Sequence, residues 1–93
     1  MGSPWPIREF TICNERGLHA RASAKFVRTA EQFNAELTVS NDDVKVGGTS
    51  VMGLMLLAAS KGCTIKVQAI GPDAEAALDA IEELVNDRFG EAC

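Results

Sequence analysis

With 93 residues and 46% hydrophobic content, the chain is long enough for one modest core and too short for two. Thirteen acidic against nine basic residues give a formal charge of −4, which argues against a general nucleic-acid binder, because neutralising phosphates needs a basic stripe. No apolar run reaches the length of a membrane span and no signal-peptide core precedes a small-residue cleavage site, so neither nucleic acid nor membrane is expected as a partner.

The expectation is one domain over residues 1–93, with Met1 to Pro6 a loose lead-in whose only bulky anchor is Trp5. From Ile7 to Cys13 the chain alternates, with Phe10 and Ile12 on one side of Glu9, Thr11 and Cys13, which predicts a first strand. Asn14 to Gly17 reads as a loop. Ala20 to Gln32 carries apolar residues at helical spacing, with Ala22, Phe26, Ala30 and Phe33 on one stripe. Ala35, Leu37 and Val39 alternate with Glu36, Thr38 and Ser40 as a second strand. After the turn residues Asn41-Asp42-Asp43, Val44 and Val46 form a short third strand, its hairpin partner.

Gly47-Gly48 breaks that pattern, and Thr49 or Ser50 can cap a short helix running to about Ser60, with Gly62 as its C-terminal glycine. Cys63, Ile65, Val67 and Ala69 alternate as a fourth strand. Gly71-Pro72-Asp73 then turns the chain, with Asp73 as N-cap of a last helix running to about Arg88. Ala74, Ala77, Leu78, Ile81, Leu84 and Val85 form its apolar face. The order β-α-β-β-α-β-α, with one apolar face per strand, predicts an α+β fold with helices on one side of a mainly antiparallel sheet.

Cys13, Cys63 and Cys93 are an odd set without a CxxC pair or a nearby histidine, so neither a disulfide framework nor a metal site is expected. Cys13 and Cys63 read as small hydrophobes, Cys93 as an exposed terminal thiol, and the set suits a reducing cytoplasm.

The stretch Asn14 to Val27, NERGLHARASAKFV, holds the only histidine of the chain where the first helical pattern begins. The first N–H groups of a helix lack intrahelical acceptors, and the aligned peptide dipoles make that end partly positive, so it favours an anion. Gly17 permits a sharp turn, the backbone at Gly17 and Ala20 supports an anion, and Arg21 can grip phosphate oxygens. Positive surroundings of this kind favour the neutral, nucleophilic imidazole of His19. The parts describe a phosphoryl acceptor, yet a lone histidine at a helix start is more commonly a surface residue or cap, and spacing alone leaves both open. Metal binding lacks clustered partners. Serine-type hydrolysis through Ser23 lacks an acid to orient His19.

GLHARASAKFV (Gly17 to Val27) resembles the active-site motif of the HPr family, the histidine-containing phosphocarriers of the phosphoenolpyruvate-dependent phosphotransferase system. GTSVMGLMLLAASKGCTIKVQAIGPDAEAAL (Gly48 to Leu78) is similar to the family's regulatory-serine helix, fourth strand and final helix. The resemblance implies the open-faced β-sandwich of that family, a four-stranded antiparallel sheet with three helices on one face. It implies that His19 carries a phosphoryl group on Nδ1, received from enzyme I and given to an enzyme IIA domain. Arg21 would steady the phosphate, and Ser50 would match the serine that HPr kinase/phosphorylase modifies in some lineages. No cofactor is implied, and nothing calls for more than a monomer. A non-catalytic ferredoxin-like binding module shares part of this element order, and a nitrogen-related regulatory paralogue shares the motif.

The motif usually reads GLHARPA, where Ala22 and Ser23 stand here. Proline in the first helical turn costs nothing, since its missing N–H had no partner, and alanine there is an excellent helix former. The change is expected to leave His19 functional.

Val51 to Ala59 is apolar almost all round, more than a small core can bury, which predicts an exposed patch. Leu54, Leu57 and Ala58 read as core. By the family's docking surface around the histidine, Ala24, Val51, Met52 and Met55 read as partner-facing, and methionine suits a surface with several partners. Ser50 reads first as an ordinary N-cap. A phosphate there would suit the helix dipole while adding negative charge beside the patch.

Overall fold

The computed structural model describes residues 5–42, 44–57 and 60–91. Four strands, β1 (Ile7–Thr11), β2 (Glu36–Asn41), β3 (Val44–Gly47) and β4 (Thr64–Ile70), form one sheet in the order β1-β4-β2-β3, every neighbouring pair antiparallel. Three helices, α1 (Ala20–Ala30), α2 (Val51–Leu56) and α3 (Ala74–Asn86), complete the expected β-α-β-β-α-β-α order. A short 3₁₀ turn at Arg88–Gly90 follows α3.

Alternation decides which face of the sheet is covered. Leu37 and Val39 of β2 and Ile65, Val67 and Ala69 of β4 are buried, while Lys66 between them is exposed. Phe10 joins them from β1. The helices supply the other half of this core: Ala22, Phe26, Val27 and Ala30 from α1, Leu54 from α2, and Ala74, Ala77, Leu78, Ile81 and Val85 from α3. Phe33 of the predicted α1 stripe is only partly buried and packs at the core's margin. On the surface, Arg8 of β1 ties the sheet to α3 through Glu75, Asp79 and Glu82, carboxylates spaced along one side of that helix.

Element ends differ from the sequence expectations in physically readable ways. β1 stops at Thr11 rather than Cys13, although the Ile12 N–H still donates to the Cys63 carbonyl at 2.8 Å. Cys13 and Cys63 therefore lie just outside their strands, half-buried and free, and the Cys13 thiol meets the Val85 carbonyl at 3.2 Å. α1 ends at Ala30, two residues before Gln32. α2 ends at Leu56 rather than about Ser60, its last turn tightened by the Leu57 N–H bonding to the Leu54 carbonyl. Gly62, with φ +92°, belongs to the turn leading into β4 rather than to the end of α2.

α3 ends at Asn86, and Asp73 does not cap it with its side chain. That carboxylate instead accepts the Asn34 N–H at 2.8 Å, joining the two loops at this edge. The expectations for Asp43, Ala58, Ala59 and Cys93 fall outside the described residues.

Candidate functional site

His19 stands at the N-cap of α1 in extended conformation, with φ −74° and ψ 179°. Its carbonyl accepts the first helical hydrogen bond from the Ser23 N–H at 2.8 Å, and its Nδ1 accepts the Arg21 N–H at 3.3 Å. The preceding loop is held by two features of the sequence. Gly17 takes φ +64°, a left-handed conformation that glycine adopts without Cβ strain, and its N–H donates to the Asn14 carbonyl. Asn14, fully buried, then donates from Nδ2 to the Gly17 carbonyl at 2.9 Å.

The first turn of α1 contains no acidic residue, so no side chain of the helix itself compensates its positive end. Ser23, inside that turn, is fully buried and its hydroxyl donates to the Leu18 carbonyl at 3.1 Å. Its role is to satisfy a carbonyl at the start of the helix. Ala22 beside it is fully buried as well.

From sequence, only positive groups are expected around His19, with no acid to orient it. The structure corrects this: Glu91, carried in by the C-terminal turn, accepts a hydrogen bond on Oε2 from His19 Nε2, while its Oε1 accepts from Asn14 Nδ2 at 3.0 Å. Burial opposes ionisation of Glu91, but the hydrogen bonds from His19 and Asn14, with the positive charge of Arg16, outweigh it and hold the carboxyl below its ordinary value. An ionised carboxylate only accepts, so Nε2 carries the proton. A backbone N–H only donates, so Nδ1 keeps its lone pair. Both contacts select the same neutral tautomer.

The turn that delivers Glu91 is unusual. Arg88 and Phe89 both take left-handed conformations, φ +54° and +55°, at a cost on the order of 1–3 kcal/mol each. Two features offset it. The Phe89 ring is buried in the core, and its carbonyl accepts from Lys25 Nζ at 2.6 Å. Gly90 follows with φ +76°, and a Cβ there would lie 2.9 Å from that ammonium.

Around His19 these elements leave an open cleft of about 400 Å³, lined by Glu15, Arg16, Arg21, Lys25, Gly90 and Glu91. Arg21 is exposed, and its guanidinium has no ion-pair partner among the described residues. The cleft thus combines a ring nitrogen whose lone pair meets the Arg21 N–H, a helix start with no acidic residue of its own, and an exposed guanidinium. That is the equipment for holding a tetrahedral anion against an imidazole nitrogen.

The chain matches the family model described as the PTS HPr component phosphorylation site over residues 7–87. The chain belongs to the HPr phosphocarrier family. Among HPr-family relatives, the phosphocarrier protein HPr of Neisseria meningitidis is 50% identical over 80 residues, covering 86% of this chain and 90% of that one. The phosphocarrier protein NPr of Shewanella violacea is 47% identical over 85 residues, covering 91% and 93%. The crystal structure of an HPr from Thermoanaerobacter tengcongensis superposes with a TM-score of 0.90 at 40% identity, covering 95% of this chain and 99% of that one. Membership of the HPr family sets aside the ferredoxin-like binding module.

Ser50, Ala24, Val51, Met52 and Met55 do not line this HPr cleft. Ser50 is the N-cap of α2 and accepts the Gly53 N–H on its hydroxyl at 2.9 Å, as an ordinary cap would. α2 packs alongside α1. Met52 is 77% exposed and Met55 44% exposed, whereas Val51 is half-buried against the core, because it sits on the turn that also buries Leu54. Leu56, 73% exposed, extends the apolar patch and was not singled out, although helical spacing from Met52 puts it on the same side. Ala24 is half-buried on α1. Asn14, Lys25, Phe89 and Glu91 were missed altogether. Among the described residues there is no cluster that could hold a metal ion and no helix long and apolar enough to cross a membrane.

Proposed function

We propose that this protein is a phosphocarrier whose His19 accepts a phosphoryl group on Nδ1 from enzyme I and passes it to an enzyme IIA domain. The observation that carries the reading is the presentation of the ring, with Nε2 engaged by Glu91 and the Nδ1 lone pair directed to the start of α1. The chemistry follows from the geometry. The Nδ1 lone pair forms the new N–P bond as the bond to the donor breaks, and the donor leaves with that electron pair. Phosphoryl oxygens then receive the Arg21 N–H that had pointed at the lone pair, together with the Arg21 guanidinium. The protein acts as one domain and as a monomer, a covalent relay rather than an enzyme in its own right. The exposed Met52, Met55 and Leu56, with Ala24 and the outer part of Val51, form the surface on which both partners dock.

Incubation with phosphoenolpyruvate and enzyme I, followed by intact mass measurement, is expected to show one acid-labile phosphoryl group that disappears on adding an enzyme IIA domain. A wild-type chain that takes no label contradicts the reading. Arg21→Ala is expected to keep the fold, since its guanidinium is exposed, and to slow transfer by about a hundred- to a thousandfold, the range for removing one oxyanion-hole donor. Loss of helical circular dichroism in that variant would instead make Arg21 structural.

Ser50 is proposed as a regulatory site for a kinase of the HPr kinase/phosphorylase type. A phosphate at this N-cap sits at the favourable end of α2 and places about two negative charges beside the docking patch, so it blocks partners without unfolding the helix. ATP-dependent label from such a kinase should vanish in Ser50→Ala. Label that persists in that variant lies elsewhere.

A further inference from the structure

We infer that Glu91 is a positioning residue for the His19 relay, fixing the proton on Nε2 so that Nδ1 both attacks and leaves as part of a neutral imidazole. The inference rests on the phosphocarrier reading above and assigns a role to a residue that no motif includes.

Three observations converge on it. First, Glu91 contacts the ring nitrogen that is not needed for bonding to phosphorus, so it can remain in place while Nδ1 reacts. Second, Glu91 is itself oriented: its second oxygen is held by buried Asn14, the same side chain that shapes the loop leading to His19. Third, the turn that carries it takes two strained residues, Arg88 and Phe89, and is fastened by a buried ring and by Lys25 from the same helix that His19 caps. Strain held by several independent contacts marks a segment whose conformation is specified rather than incidental.

The consequence for transfer follows from proton bookkeeping. When Nδ1 attacks phosphorus with Nε2 protonated, the product is a phosphorylated imidazolium, and the neighbouring carboxylate offsets its new positive charge. When the phosphoryl group departs to the next acceptor, the N–P electron pair returns to Nδ1 and the ring leaves as neutral imidazole. Were Nε2 to lose its proton in between, the ring would have to leave as an imidazolate, a far poorer leaving group. A carboxylate that orients a histidine and stabilises its cationic form performs the same office in serine-type triads. Losing an outer partner that orients a functional histidine commonly costs about ten- to a hundredfold.

The test uses the full-length protein and two substitutions, Glu91→Ala and Glu91→Gln. Imidazole ¹⁵N spectra of the unphosphorylated wild type should show Nε2 protonated and Nδ1 unprotonated. Glu91→Ala should give a mixture of tautomers, and Glu91→Gln should restore the wild-type pattern, because a carboxamide oxygen still accepts from Nε2. Both variants should take and pass the phosphoryl group about ten- to a hundredfold more slowly, since neither supplies the negative charge. Thermal melting is measured alongside: a variant that only melts lower, with wild-type tautomer and wild-type transfer rates, overturns the inference while leaving the phosphocarrier reading intact. Wild-type protein that takes no label from enzyme I removes the phosphocarrier reading and this inference together, an outcome recognised before either variant is made.

Discussion

His19→Ala is expected to abolish phosphoryl acceptance from enzyme I, with intact mass showing no added group, while the protein remains folded. The chemical half of this expectation rests on the absence of a substitute. The chain has one histidine, and the nearest hydroxyl in sequence, Ser23, is buried and donating to the Leu18 carbonyl. The structural half rests on magnitudes. His19 caps α1 through one hydrogen bond of 3.3 Å to the Arg21 N–H, and replacing a cap by alanine costs about 0.5–2 kcal/mol. For a domain of this size each kcal/mol lowers the melting temperature by roughly 4–8 °C, a shift that thermal circular dichroism reads directly. A variant that still takes the label would place the acceptor elsewhere, and one that unfolds would make His19 structural.

Phe89→Ala is expected to lower stability by about 3–5 kcal/mol in urea titration. Emptying the site of a fully buried aromatic leaves a cavity that the neighbouring α1 and α3 cannot fill without shifting. There is also a second, local cost. The buried ring is one of two contacts that hold Arg88 and Phe89 in left-handed conformation, and without it Lys25 alone must retain the turn that presents Glu91. The loss is a large share of the 5–15 kcal/mol typical of a whole domain. Met52→Ala, removing a side chain that is 77% exposed, should stay within about 0.5 kcal/mol. Similar losses in the two variants would contradict the assignment of Phe89 to the core.

Most of the fold was legible because its signals are local. The alternation of Leu37 with Val39, and of Ile65, Val67 and Ala69, predicted the sheet face that is in fact buried, and the Ala22, Phe26, Ala30 spacing predicted the buried side of α1. His19 at the start of α1 and the turn at Gly17 were equally readable, since each follows from residues within a few positions of one another.

The rest of the site was not local. Glu91 meets His19 across 72 positions, and an isolated glutamate after a helix carries no mark that distinguishes it from a solvated charge. Asn14 looked like a turn residue, and its buried bridge to Glu91 depends on where the far end of the chain returns. Lys25 carries no local signal that its ammonium meets the Phe89 carbonyl, and Phe89 lies beyond the last periodic residue of α3. The missing acid mattered to the chemical argument. Its presence does not revive hydrolysis through Ser23, whose hydroxyl is committed to the backbone, but it completes the case for a histidine held in one tautomer.

The relay depends on one atom, Nδ1 of His19. Long-range ¹H–¹⁵N spectra of the protein after treatment with phosphoenolpyruvate and enzyme I identify which ring nitrogen bears phosphorus. A single phosphoryl group on Nδ1 of His19, with Nε2 still protonated, is the predicted result; phosphorus on Nε2, or on any residue other than His19, would contradict it.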